Sequence, residues 1–452
     1  MQNKAIDMHM FENDELKYLL CNKKFEPIMQ QYLDTAVKII VKYLGNSCMS
    51  IYLIGSFGRD EGALYCDEEI VQPLRDFDIL AVTSKPIDSK TIMAMEEEIH
   101  KKLAIPSPTK GTLDEFYIWI TSTTLNNLVK GSPLLKYYEL KVASKHLYGI
   151  DVRGLINIGI EDLSLYNGIL IFFSKVYGLL ALYPLYVKSH KRLINYVYEI
   201  LKAYTEISTV FSLLDHSVYR TSFSKRCLAF YKKYSNKSPE LFKFIPGLNT
   251  YLVMACKRRK LLDDELVNSI DLRLLTIHVV ETLDKVISLY IRAGYGINTP
   301  LSGFSKSDES ALNKVGLITL AEFFSSYLRK KGVRWQCLAR IMGFIISTLY
   351  IPVANATFVV KARRSGFPMK LRLIFSSKNH YVYLTYISLN FLKLLAYNDD
   401  KNLNGFRELF LRKYLSPDYV AKLRGIKDSN MEKELVVKLL RLADVSLHRK
   451  TF

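Results

Sequence analysis

The sequence contains few of the residues that mark fibrous, unstructured or disulfide-stabilised chains. With 21 glycines and 13 prolines in 452 residues, it has too little of either for a collagen-like or low-complexity protein. Its cysteines include no C-x-x-C pair, which argues against a disulfide scaffold or a thiolate zinc site and fits a reducing compartment. The cysteines are Cys21, Cys48, Cys66, Cys227, Cys256 and Cys337.

Several catalytic and targeting signatures are also absent. The sequence has no G-x-x-x-x-G-K-[ST] phosphate loop, no G-x-S-x-G nucleophile motif and no H-E-x-x-H zinc motif. Its first 20 residues carry acidic side chains where a secretory signal has a basic end and an apolar run. We therefore expect a cytoplasmic protein.

What is present is a globular and strongly basic composition. Hydrophobic residues make up 49% of the chain and charged residues 24%, and the formal net charge is +19. Residues 1–160 hold 18 basic and 21 acidic side chains, whereas residues 161–452 hold 45 and 23. The later part of the chain therefore has the surplus that attracts RNA, an anionic membrane or a phosphorylated substrate, unless its lysines only solvate the surface.

The hydrophobic pattern changes at about residue 160. Before it, runs of strand length alternate with helical periodicity, whereas after it helical periodicity dominates. We predict three domains, at 1–160, 161–300 and 301–452. The predicted strands of the first domain are 50–54, 77–82 and 116–120, and its predicted helices are 26–45, 89–103, 122–129 and 133–141.

One segment leaves a role at a membrane open. Residues 341–360 run for twenty residues without a charge, which is long enough to cross a bilayer. Pro352 and Asn355 interrupt its second half, and basic residues flank both ends, so no orientation signal emerges. We prefer a buried helix followed by a strand, with a membrane-embedded or interfacial segment as the alternative.

The chemistry is concentrated in residues 51–83. An apolar strand ends at Gly55 and Ser56, and 21 residues after Gly55 a D-x-D motif, Asp76 and Asp78, opens the next apolar strand. Strand side chains alternate between faces, so the two aspartates project from the same side. Carboxylates this close repel each other, and Mg²⁺ between them removes the conflict. Two such ions stabilise both the attacking and the leaving oxygen of a displacement at phosphorus.

The glycine turn suits a bound phosphate. Gly55 allows a phosphate to approach the backbone, and Ser56 offers a hydroxyl and is placed to cap the helix that follows, whose first amides attract anions. Arg59, on the first turn of that helix, is placed to clamp a triphosphate. A turn or an acidic edge strand alone has an ordinary structural explanation, so the order of the two motifs is what indicates a site.

This pattern resembles the nucleotidyltransferase superfamily related to DNA polymerase beta, and especially its minimal and antibiotic-modifying members. Gly55, Ser56, Asp76 and Asp78 match its motif, with a longer spacer than usual, and the resemblance covers about residues 26–150. It implies an α+β protein in which a small mixed-sheet domain of the nucleotidyltransferase fold precedes a mainly helical region. It also implies that a nucleoside triphosphate such as ATP binds at the glycine turn and that the aspartates hold two Mg²⁺ ions.

The resemblance further implies a third carboxylate on a neighbouring strand. That group completes the metal site and accepts a proton from the attacking hydroxyl. The candidates are Asp114 and Glu115, just before the apolar strand FYIWI, and we favour Glu115 because the alternation after it fits better.

The predicted reaction transfers a nucleoside monophosphate from a nucleoside triphosphate to an acceptor hydroxyl and releases pyrophosphate. The basic region after residue 160 favours RNA or another phosphorylated acceptor. Three alternatives stay open. They are nucleotidylation of a small molecule or a protein, an inactive nucleotide-binding module, and a membrane-associated protein that uses residues 341–360.

Overall fold

The computed structural model describes most of the first 330 residues. The described residues are 12–66, 71–105, 116–183, 190–237, 247–297 and 306–330, with positions 245, 333, 337–342, 345–346, 389, 392 and 397. Side chains are described from residue 22 and, in the last helix, from residue 314. The candidates Asp114 and Glu115, and most of 341–360, therefore lie outside the described residues.

The chain forms two compact units. The first comprises Met1–Glu161 and Lys188–Ile270, and the second comprises Asp162–Val187 and Asp271–Phe452. A boundary lies at the change of sequence pattern near residue 160. However, residues 188–270 belong with the N-terminal unit and not with the helical domain predicted at 161–300.

Each helix and strand predicted in the first 150 residues overlaps one in the structure, which also contains three strands that were not predicted, at Leu64–Cys66, Val71–Pro73 and Lys145–Gly149. The helices of the first unit are α1 (Glu12–Leu44), α2 (Gly55–Gly58), α3 (Ser89–Leu103), α4 (Leu125–Lys130), α5 (Leu135–Ala143), α7 (His190–Leu214), α8 (Phe223–Lys237), α9 (Leu248–Arg258) and α10 (Asp264–Ser269). Its strands are β1 (Cys48–Ile54), β2 (Leu64–Cys66), β3 (Val71–Pro73), β4 (Phe77–Thr83), β5 (Ile118–Thr124), β6 (Lys145–Gly149) and β7 (Leu261–Leu262). The second unit contains α6 (Tyr166–Leu182), α11 (Leu272–Tyr295) and α12 (Lys306–Lys330).

The main sheet is small and mixed, as expected. Its order is β5-β4-β1-β6, with β4 parallel to β5 and β1 antiparallel to both β4 and β6. The central strand β1 is apolar, and its residues Ile51, Tyr52 and Leu53 are fully buried. The α+β class is therefore confirmed.

One face of the sheet carries the hydrophobic core of this region. Phe77 and Ile79 of β4 join Ile118 of β5, and they pack with apolar residues of α1 and α3. Burying a side chain of this size stabilises the fold by about 1.5–3 kcal/mol. Asp88 caps α3, its side chain accepting a hydrogen bond from the N–H of Thr91 at 2.8 Å. This face leaves the alternate residues of β4 on the opposite side of the sheet.

A second sheet ties the later helices to the N-terminal region. Its order is β3-β2-β7, and Leu64 of β2 pairs in parallel with Leu261 of β7. The N–H of Leu64 also donates to the carbonyl of Lys260 at 2.9 Å. Through this long-range pairing, the segment that contains α7, α8 and α9 belongs to the same unit as the main sheet.

The described part of the second unit is helical, as predicted. The hydroxyl of Tyr290 on α11 donates to the carbonyl of Leu165 at 2.5 Å, and Gly168 on α6 lies so close to Tyr290 that an added Cβ would clash with its ring. Within the part of the chain that the structure describes, no helix is both long and apolar enough to span a membrane.

The oxidation state of one cysteine differs from the expectation. Among the described residues, Cys48, Cys227, Cys256 and Cys337 are free, whereas Cys66 is disulfide-bonded. The expectation of a reducing compartment predicts free thiols throughout, and Cys66 departs from it.

Candidate active site

The glycine turn and the second aspartate of the D-x-D motif lie against each other. In the antiparallel pair of β1 and β4, Ile54 is opposite Asp78, so the turn that follows β1 begins beside this carboxylate. Gly55 has a φ angle of +71°, and a Cβ atom at this position would lie 2.6 Å from Oδ2 of Asp78. A side chain at residue 55 would be strained and would displace the carboxylate.

The turn itself is the single-turn helix α2. Its N-cap residue is Ile54, without a side-chain cap, and Ser56 lies inside the turn, so the prediction that Ser56 caps the helix is wrong. The helix begins at Gly55, directly after β1, so Ser56 is its second residue. The N–H of Arg59 donates to the carbonyl of Ser56 at 3.2 Å. Phe57 packs edge-on against Phe77, with 4.6 Å between ring centres, and anchors the turn in the core.

Asp78 lies on the face of β4 that points away from this core, and Asp76 is the residue just before the strand. Phe77, between them, is fully buried, whereas Asp76 and Asp78 are partly buried. Desolvation, together with the nearby charge of Asp76, raises the pKa of Asp78 to about 7. The positive charges of Lys202 and Arg59 act in the opposite direction. The positive charge at the site is therefore too small to keep the pKa of Asp78 at its ordinary value.

Arg59 is held by the scaffold beside the site. Its Nη1 donates to Oε2 of Glu139 at 2.9 Å, and its guanidinium lies 4.4 Å from the centre of the Phe223 ring. Its side chain is 8% exposed. Arg59 thus contributes charge at Asp78 from a buried ion pair, and its role as a clamp for a triphosphate stays a prediction.

Helix α7 supplies charged groups that the sequence analysis missed. Arg75, the residue before the first aspartate, forms an ion pair with Glu199 on α7. Burial alone would lower the pKa of Lys202, but Glu199 and Tyr198 outweigh burial and raise it, so Lys202 is charged. The Glu-x-x-Lys spacing of Glu199 and Lys202 is visible in the sequence. No local pattern, however, shows that α7 lies beside β4.

Three arginines surround Phe223, the first residue of α8. The guanidinium carbons of Arg59, Arg226 and Arg259 lie 4.4, 5.0 and 3.9 Å from the centre of the ring. Arg259 is 3% exposed, and its guanidinium makes no hydrogen bond of normal geometry to the residues that the structure describes. A desolvated guanidinium of this kind is a candidate to bind an anion.

Aromatic residues occupy strand β5 next to the aspartates. In the parallel register of β4 and β5, Trp119 lies beside Asp78. The neighbouring residues Ile118 and Ile120 are in the core, so Trp119 and, by alternation, Tyr117 belong to the face of the aspartates. Trp119 of β5, and Tyr117 just before the strand, thus place aromatic rings next to the aspartates.

The oxygen donors of the site fit a hard divalent cation. Asp76 and Asp78 offer carboxylate oxygens, and the raised pKa of Asp78 reflects an electrostatic conflict that a cation removes. Across the described ranges, three or more His, Cys, Asp or Glu side chains nowhere come together as metal ligands. Asp76 and Asp78 thus fit part of a magnesium site, and a third ligand from Asp114 or Glu115 stays a prediction.

Comparison with known proteins gives a distant structural similarity. No protein-family profile matches the chain, and no curated protein matches it either. Among solved structures, the chain is similar to the spectinomycin adenyltransferase AAD(9) from Enterococcus faecialis, which was crystallised with ATP and spectinomycin. The sequences are 14% identical, and the match covers 57% of this chain and 99% of the neighbour with a TM-score of 0.33. The similarity is too distant to transfer the neighbour's substrates to this chain.

Proposed function

We propose that the protein is a nucleotidyltransferase that transfers a nucleoside monophosphate from a nucleoside triphosphate to an acceptor hydroxyl. The observation that supports this most strongly is the contact between Gly55 and Asp78. It combines a turn without a side chain, where a phosphate approaches the backbone, with a carboxylate that lacks a full counter-charge. A triphosphate bound together with Mg²⁺ meets both requirements.

In this proposal, the residues of the site have separate roles in binding the triphosphate and the metal ions. Gly55 and Ser56 bind the triphosphate, and the positive charges of Arg59 and Lys202 offset its negative charge. Asp76 and Asp78 hold two Mg²⁺ ions. When bound, these ions stabilise negative charge on the attacking and leaving oxygens.

The transfer itself is a displacement at the α-phosphorus. The acceptor oxygen forms a bond to this phosphorus, while the bond from the phosphorus to the oxygen that bridges to the β-phosphate breaks and pyrophosphate leaves. Glu115, or Asp114 in its place, accepts the proton of the acceptor hydroxyl. Positioning and charge stabilisation provide most of the rate enhancement.

The acceptor in this proposal is RNA or another phosphorylated molecule, and ATP is one of the candidate nucleotides. The surplus of basic residues between 161 and 452 supports a polyanionic acceptor, since basic surface attracts phosphate chains. A small molecule or a protein is the alternative acceptor. We also propose that the protein is cytoplasmic, where both RNA and ATP are available.

Incorporation of labelled nucleotide tests the proposal. Purified protein is incubated with Mg²⁺ and α-labelled ATP, GTP, CTP or UTP, and with RNA, aminoglycosides or a protein mixture as acceptor. We expect Mg²⁺-dependent label in RNA, which Asp78→Asn reduces by about 100-fold or more. The matched control, Asp34→Asn, changes an exposed aspartate on α1 and should retain activity.

The other outcomes separate the alternatives. Label in an aminoglycoside or a protein would replace RNA as the acceptor and leave the transfer reaction standing. Mg²⁺-dependent nucleotide binding without label in any acceptor would instead identify an inactive nucleotide-binding module.

A further inference from the structure

Trp119 is placed unusually for a residue in a core sheet. It lies within β5, an edge strand of the main sheet, and 36% of its surface is exposed, although the adjacent residues Ile118 and Ile120 are buried. The ring centres of Trp119 and Tyr117 are 6.1 Å apart, with 58° between the ring planes. These two rings form an aromatic surface on the face of the sheet that carries the aspartates.

This aromatic surface and the glycine turn lie on opposite sides of Asp78. The sheet order places β4 between β5 and β1, so Asp78 has Trp119 of β5 on one side and Ile54 of β1 on the other. The turn at Gly55 follows directly from β1 and reaches the carboxylate of Asp78 from that second side.

Displacement at phosphorus gives these two sides different roles. The attacking oxygen and the leaving oxygen lie roughly in line through the phosphorus. If the triphosphate is bound at the glycine turn, as in the proposed function on which this inference rests, pyrophosphate leaves on the side of β1. The acceptor then enters from the side of β5, past Trp119.

We infer that Trp119, with Tyr117, stacks on a nucleobase of the acceptor and so selects a nucleic acid end over an aliphatic ring. An exposed indole gives a base a broad apolar face without demanding a particular hydrogen-bonding edge, so stacking tolerates different bases. The excess of basic residues after residue 160 complements the phosphates of the same acceptor.

Substitution of Trp119 tests the inference through the acceptor kinetics. Loss of one stacking platform weakens binding of a single-stranded acceptor by about 5- to 150-fold. We therefore expect Trp119→Ala to raise the KM for an oligoribonucleotide by this factor and to leave the KM for ATP unchanged. Trp119→Phe should recover much of the affinity. This recovery would show that Trp119→Ala weakens binding because the aromatic ring is missing and not because the fold has changed. Tyr148→Ala removes an aromatic residue that is 40% exposed on the other edge strand, β6, and is the matched control.

Fluorescence tests stacking without turnover. The chain has two tryptophans, so Trp335→Phe leaves Trp119 as the single indole. We expect an oligoribonucleotide to quench its emission in the absence of Mg²⁺, and to do so equally when Asp78 is replaced by Asn. An oligomer of abasic sugar phosphates should quench far less.

The possible results distinguish this inference from the proposed function. Transfer to RNA with an unchanged KM in Trp119→Ala would overturn the inference and leave the enzyme intact. Quenching by ATP alone, and not by the oligomer, would assign the aromatic surface to the nucleotide and would also overturn it. Quenching by the oligomer without any transfer would support the stacking surface and refute the transferase.

Discussion

At the scale of single residues, the site combines groups that destabilise one another without a ligand. Asp78 is desolvated and lies beside Asp76, which raises its pKa to about 7, and Gly55 leaves no side chain to shield it. Arg259 is buried, and its guanidinium makes no hydrogen bond of normal geometry to the described residues. Functional sites keep such groups because the bound substrate or metal supplies their missing partners.

Replacement of Asp78 should therefore stabilise the free protein. In metal-free buffer at pH 8, Asp78→Asn removes a desolvated charge that faces Asp76, and we expect the free energy of unfolding to rise by about 2 kcal/mol. Urea unfolding in EDTA measures the change, with Asp34→Asn as the surface control. A decrease in stability would mean that the Asp78 carboxylate already has adequate partners within the protein.

Lys136 on α5 gives a pH-dependent test of burial. Burial lowers the pKa of Lys136 to about 6, from 10.5 in the unfolded chain. Between these values the unfolded chain binds more protons, so this group makes stability rise with pH, and its cost is largest at pH 6 and below. We expect Lys136→Met to raise the free energy of unfolding by about 2 kcal/mol at pH 7 and by little at pH 10.5.

The control for this prediction is an exposed lysine. Lys90→Met, on the surface of α3, should change stability by less than about 0.5 kcal/mol at either pH. If Lys136→Met and wild type showed the same difference at pH 7 and pH 10.5, the ammonium group would be solvated in the folded protein.

At the scale of elements, the start of helix α8 is joined to the glycine turn by Glu61. This residue, 3% exposed, accepts hydrogen bonds from the hydroxyl of Ser222 at 2.9 Å and from the N–H of Phe223 at 2.8 Å. A carboxylate at this end of a helix satisfies amides that have no partner within the helix, and it also interacts favourably with the helix dipole. Glu61 thus fixes α8, and the arginines around Phe223, relative to the site.

Removal of this contact should destabilise the first unit. We expect Glu61→Ala to lower the free energy of unfolding by about 2–4 kcal/mol, because it removes a cap and leaves buried amides unpaired. Glu61→Gln, which keeps the acceptor and loses the charge, should have a smaller effect. Glu98→Ala breaks an exposed ion pair with Lys42, which water and salt screen, and should have a much smaller effect in the same urea titration.

The elements also show what the sequence can and cannot predict. Strand β4 and helix α3 were predictable because local periodicity and a capping aspartate define them. The pairing of β2 with β7, and the approach of Lys202 to Asp78, depend on contacts between distant parts of the chain. The D-x-D motif and the glycine turn therefore indicate the site, whereas the basic groups around it required the structure.

At the scale of the whole molecule, charge is the property that bears on function. Residues 1–160 are nearly neutral at −3, and the rest of the chain carries +22, which exceeds the net charge of +19. If these basic residues bind an RNA acceptor, its affinity must fall with salt as counterions are released. We expect the logarithm of the association constant to decrease linearly with the logarithm of the salt concentration, measured by fluorescence anisotropy of a labelled oligoribonucleotide.

The slope of this salt dependence shows whether contacts with phosphates contribute to binding of the acceptor. A slope of about −4 or steeper corresponds to about six or more phosphates neutralised on a single strand. A slope near zero would show that the basic surface does not bind the acceptor, and would favour a small neutral molecule in its place.

The most direct measurement of the central claim is calorimetry of nucleotide binding with and without Mg²⁺. The pair Asp76 and Asp78 should make ATP bind at least about 10-fold more tightly when Mg²⁺ is present. Asp76→Asn and Asp78→Asn should each abolish this gain, while Asp34→Asn preserves it. Equal binding of ATP by wild type with and without Mg²⁺, or a full gain in both aspartate variants, would contradict the assignment of this site.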